Sequence, residues 1–199
     1  MTGIIVKVKH RFPALWSIVE SVNGGLCRLR FTRRREAVDA AIASLPPVEG
    51  YAWSRVEPDD AEALSRFFTR QQEERLTYFR PHRFDPATLR RMARSGGFVM
   101  LKVTAATSGE IVGYHFLRLF FNGTIFHGLI VGEGHEGHGL GTQMWRLGAA
   151  IAESLGSDME ATISEANAAS LTSCRNAVEV VETTPIADGY LHLRLRPRR

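Results

Sequence analysis

Alternating and periodic apolar residues divide the chain into short strands and amphipathic helices. After residue 50, the pattern predicts strands at 51–56, 98–105, 111–121, 125–131, 159–164 and 190–196. It predicts helices after Asp59 or Asp60, at 86–94 behind a capping Asp85, at 139–155 and at 167–177. Asn122-Gly123 joins two of the strands and is a strong signal for a tight hairpin. This order of elements favours a mixed α/β sheet over a regular βαβ array.

The first 48 residues carry a pattern of their own. The successive segments are a strand at 4–9, a helix at 13–22, a strand at 26–31 and a helix at 33–45. We expect Asn23-Gly24-Gly25 to stop the first helix and Pro46-Pro47 to end the second. The sequence therefore predicts a small β-α-β-α extension at 1–48, followed by a main domain at 51–199.

The stretch that says most about function is a glycine-rich turn. The apolar run 125–131 leads into it, and helical spacing resumes at Leu140. Its glycines are Gly132, Gly134, Gly137, Gly139 and Gly141. A strand, a glycine loop and a helix in this order present backbone N–H groups and a helix N-terminus to an anion. The pattern predicts a phosphate or diphosphate site, and hence an enzyme with a nucleotide-bearing cofactor.

Other readings of this turn fit the residues less well. The turn lacks the Gly-Lys-Ser/Thr of a nucleotide-hydrolase loop, and it does not lie in an early βαβ unit as a dinucleotide fingerprint does. His135 and His138 are three residues apart in a turn, whereas the helical zinc motif needs a spacing of four. No third ligand is evident in the sequence, so we expect no metal.

Composition sets broad limits. With 199 residues, 44% hydrophobic and 23% charged, the chain suits one folded domain with a small appendage. Its two cysteines, Cys27 and Cys174, do not suggest a disulfide framework. The N-terminal segment has no small-residue cleavage site, and no apolar run approaches the ~20 residues that span a bilayer. We therefore expect a cytoplasmic protein without a membrane partner.

Charge narrows the partners only slightly. The net charge of +4 favours anionic partners without choosing among them. Arginines are dense at 28–35 and at 194–199. Two readings stay open for these clusters: solvated helix ends and a chain end, or a patch that binds nucleic acid. We expect no nucleic-acid partner.

From about residue 51 to residue 196, the chain resembles the GNAT superfamily of acetyl-CoA-dependent N-acetyltransferases. The cofactor loop of that family reads Gln or Arg, two residues, Gly, one residue, then Gly or Ala. Glu136, Gly139 and Gly141 hold these positions here, and Thr142 follows. The order of elements is similar as well. The resemblance implies an α/β fold whose central sheet is mixed, mostly antiparallel and flanked by helices.

The resemblance also implies acetyl-CoA as the co-substrate, with no metal. It assigns the following residues to the cofactor: Leu129, Ile130, Val131, Glu136, Gly137, His138, Gly139, Leu140, Gly141, Thr142 and Asn167. Amides at 137–142 would hold the diphosphate, and a backbone N–H near Ile130 or Val131 would stabilise the oxyanion. Glu136 departs from the usual Gln or Arg. Because a carboxylate beside a diphosphate is unfavourable, we expect only backbone contacts from this position.

Three side chains are candidates for the chemistry. The arylalkylamine acetyltransferases are similar in placing a histidine at the position of His127, which implies a base that titrates near neutral pH. The alternative is a strand histidine that is simply hydrogen-bonded. Glu133 is the second candidate base, or else a solvated loop carboxylate. Cys174 stands where the family usually has Tyr, and is either the acid for the departing thiolate or a small core residue.

For the acceptor we expect the primary amine of a small molecule, preferably an amino sugar or a nucleotide-linked amino sugar. Tyr78, Arg80 and His82 lie between two early helices, a region that lines the acceptor side in this fold; a structural loop is the alternative reading. Two rival functions stay open: acetylation of a protein N-terminus or lysine, and a CoA-binding module without turnover. Residues 1–48 lie outside the resemblance, and their use in the sheet, over the acceptor site or in a homodimer contact is undecided.

Overall fold

One sheet forms the centre of the molecule. The computed structural model describes residues 13–198, and their side chains from residue 19 onward. The strands are β1 (Tyr51–Arg55), β2 (Phe98–Ala105), β3 (Ile111–Leu119), β4 (Thr124–Val131), β5 (Asp158–Ser164), β6 (Val178–Ile186) and β7 (Tyr190–Pro197). They form a seven-stranded sheet in the order β1-β2-β3-β4-β5-β7-β6. Only the β4–β5 pair is parallel, so the expected mixed, mostly antiparallel α/β sheet is confirmed.

Helices cover both faces of this sheet. They are α1 (Pro13–Arg30), α2 (Arg34–Ser44), α3 (Ala61–Thr69), α4 (Glu73–Leu76), α5 (Pro86–Arg94), α6 (Leu140–Ser154) and α7 (Ala168–Ala177). Helices α3 to α5 bury an aromatic cluster that includes Phe67 and Tyr114. Helices α6 and α7 cover the other face, around Ile125 and Leu147. Asp85 caps α5 as expected, because its side chain accepts the Thr88 N–H at 2.9 Å.

The expected strand at 26–31 is wrong, since α1 continues through the glycines to Arg30. The helix passes close to the turn 95–97 at Gly24, where an added Cβ would lie 3.1 Å from Ser95 Oγ. A Cβ on Gly96 would lie 2.2 Å from the Gly24 carbonyl oxygen. Cys27 and Phe31 are both buried while Leu29 between them is 76% exposed, which fits the face of a helix and not one face of a strand. The strand expected at 4–9 lies outside the described residues.

The helix expected at 33–45 is confirmed as α2, and it shares a core with the main sheet. Val38 and Ala41 belong to the same buried cluster as Trp145 of α6. The division of the chain at residues 48 and 51 stays a prediction. Within residues 13–198, no helix combines the length and apolar character needed to cross a membrane.

Strand β6 was missed by the sequence analysis. After Val178 its residues are half-buried or exposed, because it is the edge strand of the sheet. The period-2 alternation that marks a half-buried strand is therefore absent from its sequence. Pairing with β7 defines it instead, from Val178 opposite Pro197 to Ile186 opposite Tyr190.

Candidate active site

A gap opens between the two central strands. Strands β4 and β5 pair in parallel from Thr124 opposite Asp158 to His127 opposite Ala161. Beyond that point the two strands are not paired in the described residues. On its other side, β4 stays paired with β3 as far as Val131. The last four residues of β4 therefore have a ladder on one edge and a cleft on the other.

The backbone of β4 shows which groups face this gap. Gly132 donates its N–H to the Val112 carbonyl at 2.7 Å, on the β3 side. Since successive residues of a strand direct their N–H and C=O groups to opposite edges, Leu129 and Val131 direct theirs toward β5. Of the two expected oxyanion donors, Val131 has the right direction, whereas the Ile130 N–H points toward β3.

The gap leads into the glycine loop. Gly134, Gly137 and Gly139 have φ angles of 79°, 78° and 80°, the left-handed region that favours glycine. Gly139 is the N-cap residue of α6, so the loop delivers its last amides to a helix N-terminus. An added Cβ on Gly137 or Gly139 would meet no atom within 4 Å. These glycines thus leave open space over the backbone N–H groups, where an anion has room to approach.

One cleft of about 890 Å³ joins the gap, the loop and the N-terminal half of α7. Of the residues assigned to the cofactor, its wall contains Leu129, Ile130, Val131, Glu136, Gly137, Gly139, Leu140, Gly141, Thr142 and Asn167. His138 is absent from the wall; its Nδ1 lies 2.8 Å from the Glu136 carbonyl oxygen. Asn167 is the N-cap of α7, since its side chain accepts the Ser170 N–H at 3.1 Å.

Side chains from two distant elements hold the loop. Tyr51 of β1 lies with its hydroxyl oxygen 3.0 Å from His135 Nδ1. From α4, Arg75 donates to the Glu136 carboxylate and, at 2.7 Å, to the Val131 carbonyl oxygen. Burial alone would raise the pKa of Glu136, but hydrogen bonds from backbone N–H groups, and the charge and hydrogen bond of Arg75, lower it. Glu136 is therefore a paired carboxylate.

Comparison with family models identifies this arrangement. Residues 59–172, more than half of the chain, match the model described as the acetyltransferase (GNAT) family. The chain belongs to the GNAT family. It is therefore an N-acyltransferase enzyme of that family, as the glycine loop led us to expect. No curated protein matches the sequence.

Solved GNAT structures share the fold at low sequence identity. One is yncA of Salmonella typhimurium, solved with its cofactor acetyl-CoA: 21% identity, 73% of this chain, 91% of that chain, TM-score 0.55. A second is the Salmonella typhimurium acetyltransferase that modifies the N-terminal serine of ribosomal protein L7/L12. It shows 13% identity and a TM-score of 0.60 over 77% of this chain and 98% of that chain. A third is AAC(6')-Ib in complex with ribostamycin and coenzyme A, with 16% identity and a TM-score of 0.53 over 75% of this chain and 94% of that chain. These likenesses support the fold, and their acceptors differ in kind.

His127 lies in the wall of the cleft, but in a setting that does not suit a base. It is 2% exposed, its ring stacks on Trp145 at 4.2 Å, and its Nδ1 lies 3.2 Å from Nε2 of His115. Gly148 makes room for this ring, since an added Cβ there would lie 2.4 Å from Nδ1. Burial, followed by the charge of His115, lowers the pKa of His127 well below 6.5. A histidine with so low a pKa does not hold the proton of an ammonium group at neutral pH.

The other two catalytic candidates lie outside the cleft wall. Cys174 is completely buried on the core face of α7, and burial, partly opposed by Arg175, raises the pKa of its thiol to about 12. This agrees with the core reading and argues against the acid. Glu133 is exposed, and its carboxylate accepts a hydrogen bond from the Gln72 side chain at 2.8 Å. Glu133 therefore anchors the loop to the segment before α4.

Of the three residues expected to contact the acceptor, one lines the cleft and two do not. Tyr78 lines the cleft and is 43% exposed. Arg80 pairs with Glu73 at the surface. His82 lies with its Nε2 3.1 Å from the Tyr114 hydroxyl, and its ring contacts Phe84 and Phe116. Because Arg80 and His82 are absent from the cleft wall, the expected nucleotide-linked amino sugar loses two of its three proposed contacts.

Sequence reasoning missed several residues of the cleft. They are Glu74, Phe79, Trp145, Thr162, Ser164, Ser173 and Asn176. No spacing rule connects α4, β5 and α7, which meet only because the sheet brings them together. One available signal was not used: a glutamate at the usual Gln or Arg position of a diphosphate loop calls for a nearby cation. In the described residues of this site, Arg75 is that cation. Among residues 13–198, no three His, Cys, Asp or Glu side chains group as metal ligands would.

Proposed function

We propose that this GNAT protein transfers an acetyl group from acetyl-CoA to the primary amine of a small molecule. The observation that carries the proposal is the gap between β4 and β5, which opens directly onto the left-handed glycine loop within one cleft. An extended amide-bearing arm fits a strand edge with unpaired groups, and a diphosphate fits a helix N-terminus. Coenzyme A has both parts, in this order.

The residues of the cleft suit such a cofactor. Amides of the segment 137–142 would bind the diphosphate, with Gly137 and Gly139 leaving the approach open. The N–H of Val131, which faces the gap nearest the loop, would pair with the amide-bearing arm. The thioester is at the end of the arm remote from the diphosphate, so we assign the oxyanion to the next gap-facing N–H along β4, that of Leu129. Donors held in this way typically contribute ~3–4 kcal/mol to the transition state.

The chemistry is a direct transfer. The neutral amine attacks the thioester carbonyl carbon and a C–N bond forms. The nitrogen then loses a proton to water, the C–S bond breaks and the departing thiolate takes a proton from solvent. We infer that the ammonium form of the acceptor loses its proton to water through the open cleft, because His127 is held neutral and Cys174 lies in the core. On this view kcat/KM rises with pH toward the pKa of the acceptor amine.

Glu74 supports an acceptor that arrives as a cation. It lines the cleft beside Tyr78, and its side chain is exposed. No lysine or arginine pairs with it in the described residues. An unpaired carboxylate at the entrance attracts an ammonium group, so amino sugars and other cationic small amines are the first acceptors to test. The neighbouring Glu73 is paired with Arg80 and is absent from the cleft wall.

The test combines binding and turnover. Calorimetry with acetyl-CoA and with CoA is expected to show one site, and thiol release is expected with at least one amino sugar, polyamine or aminoglycoside. E74Q should raise the KM of that amine about threefold and leave the KM of acetyl-CoA unchanged, while E73Q serves as the matched control. Release with peptides alone would favour a protein acetyltransferase. Binding without release from any amine would favour an inactive CoA-binding module, and absent binding would refute the proposal.

A further inference from the structure

The glycine loop carries a negative charge beside the proposed diphosphate site. Glu136 stands at the first position of the loop motif and lines the cleft. A carboxylate there repels a diphosphate bound to the amides that follow it. Its presence in a loop of otherwise suitable geometry needs a compensating positive charge.

Arg75 meets that need from another part of the fold. It lies on α4, 61 residues away in sequence, and one of its Nη atoms donates to the Glu136 carboxylate. The other donates to the Val131 carbonyl oxygen at 2.7 Å, at the mouth of the gap. One guanidinium therefore joins the loop and the end of β4, the two parts of the proposed cofactor site.

Neighbouring contacts strengthen the same connection. Gln72 donates to the Glu133 carboxylate at 2.8 Å, and the side-chain oxygen of Gln71 accepts the Glu133 N–H at 3.3 Å. The segment 71–75 thus contacts the loop at Glu133 and Glu136 and the end of β4 at Val131. The Arg75 and Glu136 side chains are 27% and 47% exposed, and ion pairs this open contribute little to folding stability. Their arrangement acts mainly on the electric field and position of the loop.

We propose that Arg75 is a positioning residue that neutralises Glu136 and fixes the cofactor loop, so that a loop with an acidic first position still binds a CoA thioester. The inference rests on the proposed function. Arg75 acts through Glu136 and the Val131 carbonyl, without contacting the diphosphate itself. The positive charge that the family usually carries within the loop is here supplied by α4.

The experiment removes the charges singly and together. R75Q removes the positive charge and leaves the Glu136 carboxylate unpaired, so CoA affinity should fall about 10-fold at low salt. The loss should shrink at high salt, because salt screens the repulsion between exposed charges. The double variant R75Q/E136Q should bind within about threefold of the wild type. R70Q removes an exposed arginine that pairs with Glu110 away from the cleft, and should leave affinity unchanged.

The outcomes separate this inference from the function itself. If the wild type fails to bind CoA, the proposed function fails first. If the wild type binds and R75Q binds equally well, the inference is refuted. If R75Q/E136Q stays as weak as R75Q, the effect of Arg75 does not run through the charge of Glu136, and the inference is refuted as well. In steady-state kinetics, R75Q should raise the KM of acetyl-CoA with little change in kcat, whereas a general loss of folded protein would lower kcat.

Discussion

The two ends of the cleft present different chemical groups. At the loop end, the groups that would bind the cofactor are backbone amides held by left-handed glycines and a helix N-terminus. At the other end, the surface is made of side chains from β4, α4 and α7. Adjacent residues determine the backbone geometry of the loop, whereas a site made of side chains depends on how distant elements pack. The loop end therefore depends on adjacent residues, and the other end depends on how β4, α4 and α7 pack.

The largest expected effect tests the loop end. G139A places a methyl group in the open space over the loop, so CoA affinity should fall about 100-fold, as for the loss of charge-assisted hydrogen bonds. G134A is the matched control, since Gly134 has nearly the same φ, the same open surroundings and no place in the cleft wall. Both variants carry about 1 kcal/mol of backbone strain. Equal losses of affinity in calorimetry would show that strain, not the site, is responsible.

The second prediction concerns the histidine pair at the other end. Burial lowers the pKa of His115 to about 3, and that of His127 well below 6.5. As the pH falls below 6.5, the histidines of the unfolded chain become protonated. In the native protein, His115 stays neutral until about pH 3. Stability therefore rises with pH up to about 6.5 and is lost below it, by about 2 kcal/mol at pH 5 for His115, and His127 adds to the loss in the same direction.

Urea unfolding at pH 7 and pH 5 measures this loss. The window lies above the ordinary pKa range of carboxylates, so acidic groups contribute little to it. Proton NMR of the histidine rings gives the two native pKa values directly. A ring of His127 that titrates between pH 6 and 7, together with a matching limb in the pH profile of kcat, would restore His127 as the base and overturn our account of the acceptor end.

The physical reason for the uneven prediction is visible in single residues. Gly139 needs only its own φ angle and the start of α6, both set by adjacent sequence. His127 occupies the expected face of β4, but its chemistry is decided by His115 on β3 and Trp145 on α6. Likewise, the segment 26–31 alternates in sequence, yet its residues up to Arg30 belong to α1, which packs closely against Gly96 at Gly24. Tertiary contacts of this kind have no local signature.

The two cysteines give a smaller test of the acceptor end. Cys174 and Cys27 are both fully buried, and only Cys174 holds the position of the usual Tyr. C174A and C27A should each lower the free energy of unfolding by about 1 kcal/mol, from lost core packing. Both should keep kcat within about threefold of the wild type. A large fall in kcat confined to C174A, with stability unchanged, would return the acid role to this thiol.

The smallest effect connects the two ends through a helix cap. Asn167 caps α7 and lines the cleft, while Asp85 caps α5 with a similar bond and lies away from it. N167A and D85A should each cost about 1 kcal/mol of stability, the usual value for a lost cap. Only N167A should also raise the KM of acetyl-CoA, by about threefold, because fraying of the first turn of α7 shifts the wall opposite the loop. If D85A raises the KM equally, the change reports general loosening, and Asn167 has no particular place in the cofactor site.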